Sequence, residues 1–218
     1  MDPIAQPEPS APAMVRAPLL VGDDGRARCS WCGTDPEYQR YHDEEWGRAL
    51  RGDRALFEKI SLEGFQSGLS WITILKRRPA FRAAFADFDP EAVARMDDDD
   101  VVRLMGDAGI IRNRRKIEAT ISNAQALLRF DGSLTELVWS FAPSAETRRR
   151  PDAWEDIATA TPESTALSSA LRARGFRFVG PTTMHALMQS AGLVDDHLAG
   201  CWRAEQVDDG SETDGGGR

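Results

Sequence analysis

The chain holds only three histidines and three cysteines, and four of these six fall into two pairs near opposite ends of the region that can fold. Cys29 and His42 bracket a short aromatic segment, while the i, i+4 spacing of His197 and Cys201 predicts one shared helix face. Two Cys and two His are a complete tetrahedral ligand set for zinc, and closing it would tie the two ends of the chain together. The same residues are compatible with two buried cysteines and two unrelated histidines, and the long separation of the pairs leaves both readings open.

An odd number of cysteines argues against a secreted disulfide framework. No apolar run approaches the ~18 residues of a membrane span, and no charged segment followed by an apolar stretch opens the chain. These features predict a cytoplasmic protein with no membrane partner. With 218 residues, 41% of them hydrophobic, the chain can build one large domain or two small ones.

Residues 1–27 are rich in Pro, Ala and Gly and read as a disordered arm, and the acidic, Gly-rich residues 205–218 as a disordered tail. Residues 28–204 read as one all-α domain. Asp53 is expected to cap a helix to about Glu63, and Arg78-Pro79 to open another. Asp89 caps a third, Val101–Met105 lies in a fourth, and Asn113 caps a long helix to about Phe130. Ser133 opens the next, Ser164 one that stops at Gly175, and Thr182 the last, to about Ala191. No segment alternates convincingly as a strand.

The formal net charge is −8, which argues against a nucleic-acid partner until its distribution is considered. The tail carries −4 and the arm −2, leaving −2 on the central region. Within it bases cluster at Lys76–Arg78, Arg112–Lys116, Arg148–Arg150 and Arg172/Arg174/Arg177, which is compatible with a DNA-binding face or with ordinary solvated helix faces. Between Leu171 and Thr183 the chain reads helix, tight turn, helix. Gly180 would supply unusual backbone angles and a close approach, and the free N–H groups around Thr182 would make an anion site flanked by Arg177.

This turn followed by Leu193-Val-Asp-Asp-His197 resembles the helix-hairpin-helix DNA glycosylase superfamily, as does Gly109-Ile-Ile-Arg-Asn-Arg-Arg-Lys116 with its Gly-x-x-x-x-Lys helix start. A closer resemblance, from Arg28 to Trp202, is to the 3-methyladenine-DNA glycosylase I family, a zinc-containing branch. It rests on Arg28-Cys-Ser-Trp31, Asp35-Pro-x-Tyr-x-x-Tyr-His-Asp-x-Glu-Trp-Gly47, Leu62-Glu-Gly64, Gly68-Leu-Ser-Trp-Ile72, Asp107-Ala-Gly-Ile-Ile111, Val138-Trp-Ser-Phe141, Gly175-Phe-x-Phe-Val-Gly180 and Asp196-His197 to Cys201.

The resemblance implies one structural Zn2+ held by Cys29, His42, His197 and Cys201, with Cys32 left as an adjacent core residue. It implies an enzyme of base excision repair that flips N3-methyladenine out of alkylated double-stranded DNA and hydrolyses its glycosidic bond, acting on the nucleoid, chemistry that needs only a monomer. Glu63 would read the base and Tyr41 would hold Glu63 or the base. Trp71 would stack, Tyr38 and Trp31 would line the wall, and Leu69 would fill the gap left in the duplex. Trp46 reads as core packing, and His185 as packed or solvent-facing. Gly180, Thr182, Arg177 and Lys116 would meet DNA phosphates. No lysine follows the Gly-Pro turn, so β-lyase activity is not expected. Asp195 aligns with the superfamily's catalytic aspartate, which makes it a candidate to assist water or the sugar cation, against a carboxylate held by local hydrogen bonds.

A damage-binding protein without catalysis would keep the hairpin but has no need of Glu63, Tyr41 and Trp71 together. A hydrolytic zinc enzyme needs an open metal position and a base such as HExxH provides, and no such motif occurs. A helical interaction module leaves the aromatic and His/Cys clustering unexplained.

Overall fold

The computed structural model describes residues 18–144 and 150–204; Arg148 and Arg149, most of the N-terminal arm and the whole tail lie outside them. The described region is helical, with one two-stranded antiparallel hairpin, β1 (Leu19–Val21) and β2 (Ala27–Cys29). This hairpin corrects two expectations, since strands are present and residues 19–27, assigned to a disordered arm, form β1, the turn and the start of β2. Its register sets Leu19 opposite Cys29, so the arm's last residues frame a proposed metal ligand.

The helices are α1 (Pro36–Glu44), α2 (Asp53–Gln66), α3 (Trp71–Ala84), α4 (Pro90–Ala94), α5 (Asp98–Gly106), α6 (Arg114–Arg129), α7 (Leu134–Trp139), α8 (Pro162–Ala173) and α9 (Pro181–Ser190). Asp89, Asn113 and Ser133 cap α4, α6 and α7 through side-chain oxygens, as their sequence contexts require. α2 is the central element. Its buried residues run almost unbroken from Leu56 to Phe65, because α3, α6, α7 and α9 pack around it. A polar side chain on this helix is therefore carried into the interior.

Several boundaries differ from expectation for local reasons. Asp53 does not cap α2. Its carboxylate instead accepts from Ser133 Oγ and the backbone N–H of Leu134 and Thr135, capping α7 across the fold. Pro79 lies inside α3, not at its start. The buried face Ile74, Leu75, Phe81 and Ala84 continues on both sides of it, and that packing outweighs the lost backbone hydrogen bond. α8 starts at Pro162, with Thr161 as cap and Ser164 reciprocating from the third position. α9 starts at Pro181, with Gly180 as cap instead of Thr182.

The hairpin between α8 and α9 is closed by Gly175 at φ 90° and by Phe176 N–H donating to Leu171 O at 3.0 Å, a Schellman-type stop. Gly180 has φ −65° and needs no glycine freedom; besides Gly175, the turn's left-handed residue is Phe178 at φ 58°. Asn123 of α6 pins the turn, accepting from Arg177 N–H at 2.7 Å and donating to Arg177 O at 3.0 Å. No described helix is long and apolar enough to cross a membrane.

Candidate active site

The two ends of the described region meet at a sulfur–nitrogen corner. Cys29 closes β2, His42 lies in the last turn of α1, and Cys201 follows a turn in which its N–H donates to Leu198 O at 2.9 Å. Residues 195–201 are not helical, so His197 and Cys201 approach through this turn and not along a shared helix face. The ligand atoms of Cys29, His42 and Cys201 lie within 4.8 Å of one another, all buried. His197 stands beside this group, its ring 5.1 Å from that of His42, and its buried Nε2 has no hydrogen-bond partner.

Both imidazoles have their other nitrogen engaged. His42 Nδ1 meets Asp43 Oδ1 at 2.8 Å, and His197 Nδ1 meets Asp195 Oδ1 at 2.9 Å. A carboxylate at Nδ1 holds the proton there and leaves Nε2 as a lone-pair donor. Asp43 is itself held by Arg28 and by Trp202 Nε1, and Asp195 by Arg150 Nη2. Contact with Cys201 and burial push the Cys29 thiol up, while the hydrogen bond with Cys29 and the contact with the His42 ring hold Cys201 down to about 3, against its burial. Two sulfurs and one imidazole nitrogen form a candidate metal group, and the orphaned Nε2 of His197 beside it has the chemistry of a further ligand. Cys32 is buried but outside the group, its Sγ 3.8 Å from Gly33 O.

This corner braces an aromatic wall. Trp46 packs edge-on against His197 at 4.6 Å, and Trp31 lies 5.3 Å from His42 and 5.2 Å from Trp46. Trp31, Tyr38, Tyr41 and Trp71 then line a cavity of about 370 Å3, within the about 300–1,000 Å3 usual for small-molecule pockets. Trp46 lines it too, where sequence suggested only core packing.

Glu63 reaches this cavity from α2 and is 4% exposed. Its Oε1 accepts from Ser190 Oγ of α9 at 3.1 Å. Burial raises its carboxyl above the usual range, opposed by the Lys59 cation 3.9 Å away and by the Ser190 hydrogen bond. Tyr41 Oη is held by Lys59 Nζ at 2.6 Å and not by Glu63. Burial likewise pushes Tyr41 upward and Tyr38 to about 12, so both phenols stay protonated at neutral pH.

Three sequence-based assignments meet contrary geometry. Asp195 faces His197 and Arg150 and lines a neighbouring cavity, not this one. Lys116 is buried, and its Nζ donates to Phe65 O at 2.9 Å and Ser67 O at 2.8 Å, satisfying the carbonyls that α2 leaves open at its C-terminus, so it is not free for a phosphate. Gly180 lacks the special backbone angles expected of it. Arg177 and Thr182 are exposed, with Thr182 at the cavity rim, and Leu69 is 42% exposed beside Gly68 at φ 84°.

Sequence reasoning missed Lys59, His185, Gln189 and Ser190. Thr182, His185, Ala186 and Gln189 follow the i, i+3, i+4, i+7 spacing of one helix face, and that face lines the cavity. His185 is buried there with neither ring nitrogen hydrogen-bonded, and burial lowers its pKa.

The family model for methyladenine glycosylase matches residues 31–204. DNA-3-methyladenine glycosylase 1 of Escherichia coli K12 is 49% identical over 177 residues, covering 80% of this chain and 95% of the relative. The DNA-3-methyladenine glycosylase of Haemophilus influenzae is 45% identical over 177 residues, covering 80% and 96%. A crystal structure of 3-methyladenine DNA glycosylase I superposes with a TM-score of 0.78 at 48% identity, covering 80% of this chain and 98% of that one. The Staphylococcus aureus enzyme, studied for its recognition of 3-methyladenine, gives 0.75 at 38%, covering 80% and 96%. With most of its length matched in sequence and in fold, the chain belongs to the methyladenine glycosylase family.

Proposed function

We propose that the protein is a monofunctional DNA-3-methyladenine glycosylase, which flips the alkylated adenine out of duplex DNA and hydrolyses its bond to deoxyribose. The observation that carries this reading is a buried carboxylate, Glu63, presented into an aromatic cavity of base-accommodating size. A purine methylated at N3 and still joined to sugar carries a positive charge. Trp71, Tyr38 and Trp31 offer it π faces, Glu63 offers it a negative charge and an acceptor for the exocyclic amine, and Tyr41 stands beside them.

Cleavage moves the charge from base to sugar, and the base departs as a neutral molecule. Little protonation of the leaving group is needed, so selective binding and electrostatics carry the rate. Thr182 and Thr183 follow the hairpin where a lysine nucleophile would be required for strand cleavage, which supports hydrolysis that leaves an abasic site.

Residues 28–204 act as the glycosylase domain, as a monomer, on DNA in the cytoplasm. The α8–α9 hairpin serves as the phosphate grip, with the open N–H groups after Gly180 and the Arg177 side chain. Leu69 enters the duplex where the base has left. Zinc held by Cys29, His42, His197 and Cys201 would supply closure of the fold and no reaction chemistry, since four protein ligands leave no position for water. Asp195 orients His197 in this reading.

The test is release of free 3-methyladenine from methylated duplex DNA by wild type and Glu63→Ala. Release by wild type and a large loss in the variant support the assignment. A folded, zinc-loaded wild type that releases nothing overturns it in favour of a damage-binding protein.

A further inference from the structure

Lys59 lies one helical turn before Glu63 on α2, and its side chain is 11% exposed. It does not line the base cavity. It borders a second cavity of about 260 Å3 that shares Trp71 and Ser190 with the first. Its Nζ stands 4.3 Å from the Trp71 ring centroid and 4.8 Å from that of Tyr41. The same nitrogen donates to Tyr41 Oη at 2.6 Å and lies 3.9 Å from Glu63 Oε1. A cation so deeply placed, touching two wall residues and the carboxylate, is not explained by the chemistry above.

An ammonium group has three donors and no acceptor, so Tyr41 oxygen must accept from it, and the phenolic hydrogen is left to point elsewhere. While ionised, Glu63 can only accept and has no hydrogen to donate, and among the described residues Lys59 is its one ion-pair partner. We propose that Lys59 is a positioning residue that fixes the polarity of the base-reading pair, keeping Glu63 a charged acceptor and leaving Tyr41 the donor. This rests on the base-excision reading.

The consequence is a choice between purines. Along one edge adenine offers its N6 amine as donor beside N7 as acceptor, whereas guanine offers two acceptors, O6 and N7. One acceptor beside one donor matches adenine and opposes guanine. Were Glu63 to take up a proton, it would become a donor toward O6 and the opposition would be lost. Lys59 thus controls purine selectivity from behind the wall, without contact with the base.

The groups around the pair leave Lys59 this role. Tyr38, Tyr41 and Glu45 face it from α1 and its end, Glu58 from α2, Arg78 from α3, and Ser190 and His185 from α9. Glu44, Arg48 and Arg82 border the second cavity. Arg78 is matched by Glu45, its Nη2 donating to Oε1 at 2.9 Å. Burial drives Glu63 toward its neutral form and Lys59 opposes this. Removal of Lys59 leaves burial less opposed, so activity that needs the carboxylate is lost at a higher pH on acidification.

The experiment is single-turnover excision of 3-methyladenine and 3-methylguanine across pH by wild type, Lys59→Met and Lys59→Arg, with Glu63→Gln as control. In Lys59→Met the acidic limb moves up by about one pH unit or more, and the preference for adenine falls about tenfold. Lys59→Arg stays with wild type, and Glu63→Gln shows no such limb. A folded Lys59→Met with wild-type limb and preference overturns the proposal. So does a limb that persists in Glu63→Gln, or a Lys59→Arg displaced as far as the methionine variant. If Lys59→Met does not fold, Lys59→Gln, polar and of similar length, is read by the same two outcomes. Absence of release by wild type at every pH would instead overturn the base-excision reading.

Discussion

Asp195 Oδ1 stands 2.9 Å from His197 Nδ1, repeating on one side of the Cys/His corner what Asp43 does to His42 at 2.8 Å on the other. The two carboxylates engage Nδ1 of each ring, which leaves His197 Nε2 without a partner and turns His42 Nε2 toward Cys29 N–H at 3.4 Å and Cys201 Sγ at 3.5 Å, and arginines hold both carboxylates in turn. With zinc held as proposed, Asp195→Asn should weaken its binding by roughly 10–100-fold, the range for partners that orient a metal-bound histidine. Chelator competition measures this. Single-turnover excision by the zinc-saturated variant should match wild type. A collapse of that rate at saturating zinc would show instead that Asp195 acts at the sugar, as the superfamily resemblance suggests.

Glu63 should lower the stability of the protein it serves. Its folded-state pKa is raised by burial, beyond what Lys59 and Ser190 offset. An acid with a raised folded pKa binds its proton more tightly in the native state. It therefore opposes folding above that pKa, and stability recovers as pH falls through it toward the unfolded value. Glu63→Gln should melt at a higher temperature than wild type at neutral pH, and the gap should close on acidification. Excision should fall by about 100-fold or more with the charge, as when a preorganised electrostatic contact is removed. Thermal melts across pH, paired with excision rates, check both halves. A variant that melts below wild type at neutral pH would show that the lone Lys59 costs more than the carboxylate did.

The legible parts of the fold were those written locally. Asp89-Pro90, Asn113 and Ser133 sit just before their helices and cap them, so spacing sufficed. Asp53 carries the same signal, but its carboxylate serves α7, more than 80 residues along the chain. No local pattern reveals that. His197 and Cys201 have helical spacing but meet through a turn, which sets Cys201 beside Cys29 and His42 and the His197 ring 5.1 Å from that of His42. At the site, the aromatic and Cys/His residues stood out by their rarity. Lys59 did not, since a lysine four residues before a glutamate is the ordinary pattern of an exposed helix face, and only α2's burial on all sides makes it otherwise.

Asp53 makes a second stability test. Its carboxylate accepts from Ser133 Oγ, Leu134 N–H and both the N–H and the hydroxyl of Thr135. Burial alone would raise its pKa, but the hydrogen bonds from Thr135, Ser133 and Leu134 win and lower it. A depressed folded pKa means stability present above the unfolded value and lost as pH falls through the folded one. Asp53→Ala should cost about 1–3 kcal/mol at neutral pH, the penalty for stranding part-buried donors. The difference from wild type in urea denaturation should shrink in acid, as in the Glu63 case, but here because the wild type loses stability instead of recovering it. An unchanged denaturation midpoint at neutral pH would mean that water replaces these bonds without loss.

Gly180 separates what the fold requires from what DNA would require. Its φ of −65° and ψ of 161° are open to any residue, and an added Cβ would come no closer than 3.6 Å to Arg172 Nη2. Nothing within the protein demands glycine there. A phosphate drawn to the N–H groups at the start of α9 would demand it, because a side chain at the cap would obstruct the backbone's approach. Gly180→Ala should lose only about 1 kcal/mol or less, the difference between glycine and alanine at a helix cap. Its affinity for duplex DNA should fall more steeply, and by a similar factor for methylated and unmethylated duplexes, since a phosphate contact reads no base. Binding isotherms on both duplexes, with a melt of the free protein, decide the matter. Equal affinity in variant and wild type would remove the hairpin from the DNA-binding surface.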